Sequence, residues 1–208
     1  LTTTTGYQNA ALGNNALQFN TTGTVNTAIG GLTLQNNTTG SNNVAVGYAA
    51  LQDNTTGISN TALGRDALAN NTTASNNTAV GYAALQDNTT GTSLAALGYQ
   101  ALANNTTGND NTAVGYQALL TNTTGFNNVA LGYQTLQNNT ANNNTAVGYI
   151  SLQSNTTGYS NTALGIYSLT TNTTGVENVA IGTFPLRYNT TGNYNIAVGK
   201  QALTTNTT

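Results

Sequence analysis

The stretch NTAVGYQALLTNTTG, residues 111–125, decides the fold, because close copies of it recur along the whole chain. Residues 43–57 read NVAVGYAALQDNTTG, and residues 145–158, entering the unit one residue late, read TAVGYISLQSNTTG. One glycine marks the register from Gly13 to Gly199. Each step between register glycines is 17 residues, except that Gly148 follows Gly132 after 16. The position two before the register glycine is always Ala, and the position one before is always Val, Ile or Leu. Four after it stands Leu; seven and eight after it stand Asn and Thr. Ten after it stands Gly, as in Gly23 and Gly125, except at Ala74 and in the shortened unit.

A 17-residue unit is too short for a helical hairpin and fits one rung of a β-solenoid. Val, Ile, Thr and Tyr suit strands, while Asn and Gly suit corners with positive φ. A single rung cannot bury its own Val and Leu; stacked rungs form a continuous core. The sequence therefore predicts an all-β fold: a parallel β-solenoid of about twelve rungs, forming one domain over residues 1–208. At about 4.8 Å per rung the rod is on the order of 55 Å long. A disordered polar tract has no need of Leu at every seventeenth position. The first and last units show no capping pattern, which suits a segment of a longer array or fibre.

Composition narrows function. Only 4% of the 208 residues are charged, against roughly 25% in typical globular chains. With a net charge of −2 there is no basic footprint for nucleic acid or anionic lipid. No apolar run reaches the roughly 18 residues of a membrane-spanning helix. There is no His to serve a nucleophilic triad and no Cys for a disulfide or thiolate metal site. The five acids are scattered over different rungs, so paired-carboxylate chemistry has no candidate. Asp53 and Asp87 share a position two rungs apart, with Asn70 between them, a poor cation site. No catalytic, cofactor-binding or metal-ligating residue is expected.

Strand alternation assigns the faces. In Asn128-Val129-Ala130-Leu131-Gly132, Val129 and Leu131 share one face, and Ala130 and Gly132 share the other. The bulky face is expected to fill the core: Val46, Val114 and Leu131, opposite the recurrent Leu51, Leu119 and Leu136. The small face is read as subunit packing, through Ala45, Gly47, Ala113, Gly115, Ala130 and Gly132, because a solvent face would drift to polar residues. The competing reading is that small residues simply fit a narrow interior.

The residue after the register glycine is Tyr48, Tyr82, Tyr99, Tyr116, Tyr133 or Tyr149 in six rungs and Arg65 or Lys200 in others. A site that accepts Arg and Lys reaches water. These tyrosines are expected to form a surface ladder, either stabilising the rod by stacking or contacting sugars or proteins. At the Asn-Thr-Thr corner, Asn54, Asn88, Asn122, Asn155, Asn172 and Asn189 are candidates for an inward amide ladder. The same tripeptide is an N-glycosylation acceptor pattern. The two roles conflict, and the strict recurrence favours the ladder.

The units Asn43-Val44-Ala45-Val46-Gly47 and Asn178-Val179-Ala180-Ile181-Gly182 resemble the head repeats of YadA-like trimeric autotransporter adhesins; similar units occur in phage and viral fibre proteins. The resemblance covers essentially the whole chain. It implies a left-handed parallel β-roll, three chains side by side, and a place outside a cell or on a virion. The unit is longer than the usual head repeat because of the Asn-Thr-Thr-Gly corner. The expected role is a non-catalytic extracellular structural protein, an adhesin head or surface fibre. Its partners would be further copies of itself and surface glycans or proteins. A protomer of a self-assembling head-to-tail filament is the alternative, and ice binding through a Thr array is a third reading.

Overall fold

The structure, a computed structural model, describes residues 5–207; residues 1–4 and 208 of the expected domain lie outside the described residues. It is a parallel β-solenoid. Twelve strands, from β1 (Ala10–Leu12) to β12 (Ile196–Val198), form one sheet in strict chain order. Neighbours pair in parallel with repeat positions aligned. In β7 (Thr112–Val114) and β8 (Val129–Leu131), for example, Ala113 pairs with Ala130 and Val114 with Leu131. The 16-residue step does not disturb this register: Ala130 pairs with Ala146.

Each strand is three residues long, yet hydrogen bonding between rungs continues through the turns. Past the register glycine, the Gln117 N–H donates back to Tyr99 (2.9 Å) and the Leu119 N–H donates forward to Thr135 (3.1 Å). At the corner the Thr106 N–H donates to Thr123 (2.9 Å). The reversals between forward and backward bonding coincide with left-handed residues. Gln117 has φ 53°, Leu119 φ 52° and Asn127 φ 56°, and the same three positions are left-handed in nearly every rung. A non-glycine residue in this region costs roughly 1–2 kcal/mol. The recurrent Leu bears that cost while fully buried from Leu34 to Leu186, a burial that contributes about 1.5–3 kcal/mol per side chain.

The core corrects the expected faces. Ala45, Ala113 and Ala130 are 0% exposed and line the interior with Leu51, Leu119 and Leu136, which are also 0% exposed. Val46 and Val114 lie partly exposed on the outside, and Leu131 is 37% exposed. Alternation holds, but in the opposite sense. A 17-residue turn encloses a narrow space that one Leu per rung nearly fills, so the strand opposite can send in only a methyl group. The small face is therefore core, and the three alanines are closed to any other subunit.

The glycines Gly47, Gly115 and Gly132 are half-buried, and their identity is set by the next rung. A Cβ on Gly115 would stand 2.3 Å from the Gly132 carbonyl oxygen, and one on Gly47 would stand 2.5 Å from that of Gly64. Their φ values of 131–134° independently strain any other residue type.

Candidate functional site

The corner asparagines form an inward ladder. Asn54 Nδ2 donates to Asn37 Oδ1 (2.7 Å) and to the Gly57 carbonyl (3.1 Å). Asn88 repeats this with Asn71 (3.1 Å), Asn172 with Asn155 (2.8 Å) and Asn189 with Asn172 (2.9 Å). These side chains, with Asn122 and Asn155, are 0% exposed. Both amide hydrogens are used, and no space exists for a sugar on Nδ2. Burial of so many polar groups is tolerable because nearly every one is satisfied.

A second ladder runs beside the first and was not anticipated. It uses the Asn four before the register glycine. Asn43 Oδ1 accepts from the Asn60 backbone N–H (2.9 Å), while Asn43 Nδ2 donates to the Gly57 carbonyl (2.9 Å). The recurrence from Asn9 to Asn195 was its signal in the sequence. Leu94 interrupts it, donating only its backbone N–H to Asn77 Oδ1.

The short rung breaks the first ladder. Asn139 Nδ2 bonds the Ala141 carbonyl (2.9 Å) and makes no bond to Asn122. Asn122 Oδ1 is left buried without a partner among the described residues.

Exposed acceptor asparagines do exist one residue earlier in the corner. Asn70, Asn104 and Asn138 are exposed and each opens an Asn-Asn-Thr triplet. Asn70 Nδ2 reaches outward to Asp87 Oδ1 (2.9 Å). Produced through an N-glycosylating secretory route, the soluble folded fraction should carry sugar at these positions and none at Asn88, Asn122 or Asn155. Glycopeptide mapping checks this; a folded, soluble chain glycosylated at a ladder asparagine would contradict it.

The tyrosines are outward and stacked. Tyr82, Tyr99, Tyr116, Tyr133 and Tyr149 form a continuous pile with centroids 5.1–5.3 Å apart and planes within 15°. Tyr48 stands apart, covered by the Arg65 guanidinium at 5.7 Å. At the other end Tyr167 meets Tyr149 edge-on and stacks on Phe184, and Arg187 lies about 5 Å from the rings of Tyr167, Phe184 and Tyr188. Lost hydration, then Tyr167 and Tyr133, holds the Tyr149 phenol above its ordinary value. Each stacked pair contributes about 0.5–1.5 kcal/mol. Within the pile the ring faces cover one another, leaving ring edges and hydroxyls for outside contacts.

Val, Ile and Leu, expected in the core, instead form a ribbon on the outer face of the sheet. Val44, Leu63, Leu97, Leu131, Val147 and Ile181 are all at least 36% exposed. No strand contains a charged residue. From strand spacing and rise, the ribbon covers on the order of 500 Å². That is toward the upper end of the roughly 300–600 Å² that the largest apolar patch of a monomer covers, and such patches are often functional.

Among the described residues no cluster of three or more His, Cys, Asp or Glu could hold a metal ion, and no helix is long and apolar enough to cross a membrane. No protein-family model, curated protein or solved structure matches the chain.

Proposed function

We propose that this chain is a non-catalytic structural rod of an extracellular or virion surface, an adhesin head or fibre, in which copies of the solenoid pack side by side. The observation that carries the proposal is the uncharged apolar ribbon along the outer face of the sheet. A sheet face exposed to water for its whole length would be expected to alternate apolar-in with polar-out. Here it keeps branched apolar residues in every rung. The resemblance of the strand units to trimeric adhesin heads supports three copies as the assembly, with the contact made by Val114, Leu131 and their equivalents rather than by Ala and Gly. The tyrosine ridge and the Thr-rich corner then face outward, where repetition allows many weak contacts at once. With few charges, such contacts depend little on salt.

The test is oligomeric state. Leu97→Lys with Leu131→Lys places two ammonium groups on the ribbon without entering the core. The unmodified chain should run as a discrete oligomer by light scattering coupled to gel filtration, and the double variant should run as a monomer with an unchanged far-ultraviolet spectrum. A wild-type monomer at tens-of-micromolar concentration sinks the side-by-side reading (a concentration in the range of moderate protein–protein affinities). Long unbranched fibres in micrographs would instead favour head-to-tail stacking.

A further inference from the structure

We infer that the shortened rung forms a binding site for one ring of a neutral sugar. The missing corner residue opens a notch of about 290 Å³, lined by Thr140, Ala141, Asn142, Asn143, Thr157 and Tyr159. Its size falls just below the roughly 300–1,000 Å³ of sites for drug-sized ligands, which suits a single ring.

The chemistry of the lining selects the ligand. Asn142 Oδ1 accepts from the Phe126 backbone N–H (2.9 Å), and Asn143 Oδ1 accepts from Asn127 Nδ2 (3.3 Å). These bonds turn the two Oδ1 atoms toward the preceding rung, and neither Nδ2 group has a protein acceptor among the described residues. The Thr157 and Tyr159 hydroxyls are likewise uncommitted within the protein. Unlike the piled tyrosines, Tyr159 stacks on no other ring, and it is 47% exposed. An exposed, unstacked aromatic ring beside amide donors and two hydroxyls matches a sugar ring, with C–H groups on one side and hydroxyls around its rim. None of the six lining residues is charged, so an anionic sugar finds no counter-charge there.

The notch lies at the corner, while the apolar ribbon lies on the strand. Binding here stands or falls independently of side-by-side assembly.

Saturation-transfer NMR with free glucose, galactose, mannose and N-acetylglucosamine tests the inference, with N-acetylneuraminic acid as the anionic comparison. At least one neutral sugar should receive saturation, and the anionic one much less. Two variants locate the contact. Tyr159→Ala removes the ring, and a glycine inserted after Ala141 restores the 17-residue rung and fills the notch. Each should weaken binding at least tenfold while keeping the wild-type circular dichroism spectrum. Should the insertion fail to fold, Tyr159→Ala, at a side chain exposed to solvent, decides alone. No saturation transfer to any neutral sugar overturns the inference. So does unchanged binding in Tyr159→Ala, or equal binding of the anionic sugar.

Discussion

Asn105→Asp should cost about 4 kcal/mol of stability at neutral pH and recover most of it in acid. Asn105 is 0% exposed; its Nδ2 donates to Asn88 Oδ1 (2.8 Å) and to the Gly108 carbonyl (3.1 Å). An aspartate loses both donors and turns a charge toward two acceptors. The chain's three cations are Arg65, Arg187 and Lys200, none of which is in the interior. Full burial raises a carboxyl pKa by about 3 units or more, each worth about 1.4 kcal/mol. The sign follows from linkage. A folded pKa above the unfolded value of about 3.9 means that the native state holds the proton more tightly. Below that value the acid is neutral in both states and can donate one bond. As pH rises from about 4 toward the folded pKa, stability falls. Urea melts at acid and neutral pH measure this directly. A pH-independent midpoint would show that the ladder position is open to water.

Gly115→Ala should be comparably damaging for a different reason. The added Cβ would stand 2.3 Å from the Gly132 carbonyl oxygen and 2.7 Å from its carbon, and that neighbour is backbone. At φ 131° an L-residue is also strained by about 1–3 kcal/mol. Forcing rungs apart adds about another 1–3 kcal/mol. Because each rung contacts only its neighbours, the damage should divide the rod rather than dissolve it. Calorimetry should give two transitions where the unmodified chain gives one. A single transition within a degree or two of wild type would mean that the rungs slide to accommodate the methyl, against their close backbone approach (about 4.8 Å between strands).

Much of this could be read in the residues. Recurrent Gly13 to Gly199 defined the rung, Leu119 and its equivalents marked the interior, and the acceptance of Arg65 and Lys200 at the tyrosine position marked the outside. The sense of the strand was not legible. Alternation says that Val129 and Leu131 share a face, but it cannot say which face looks inward. Hydrophobicity pointed the wrong way because the enclosed space is too narrow for a second large side chain. The asparagine at the strand start recurs in every rung but the one that carries Leu94, yet strand alternation alone gives it no role, so the second ladder is not legible from the sequence. The notch depended on which elements crowd the short corner, a three-dimensional fact that the missing residue signalled without describing.

The left-handed residues bear on how the chain comes to be folded. Gln117, Leu119 and Asn127 must all adopt the left-handed conformation, unfavourable for the first two, before their rung has anything to bury against. Asn tolerates this region best, so a lone rung would carry on the order of 2–4 kcal/mol of such strain, mostly at Gln117 and Leu119, with no neighbour to offset it. The first pair of rungs is therefore a costly nucleus, and each later rung adds to a finished template that supplies its hydrogen bonds, its Leu contact and its amide partners. Growth from that nucleus is a propagation, as in a helix–coil transition, with a whole rung as the unit added.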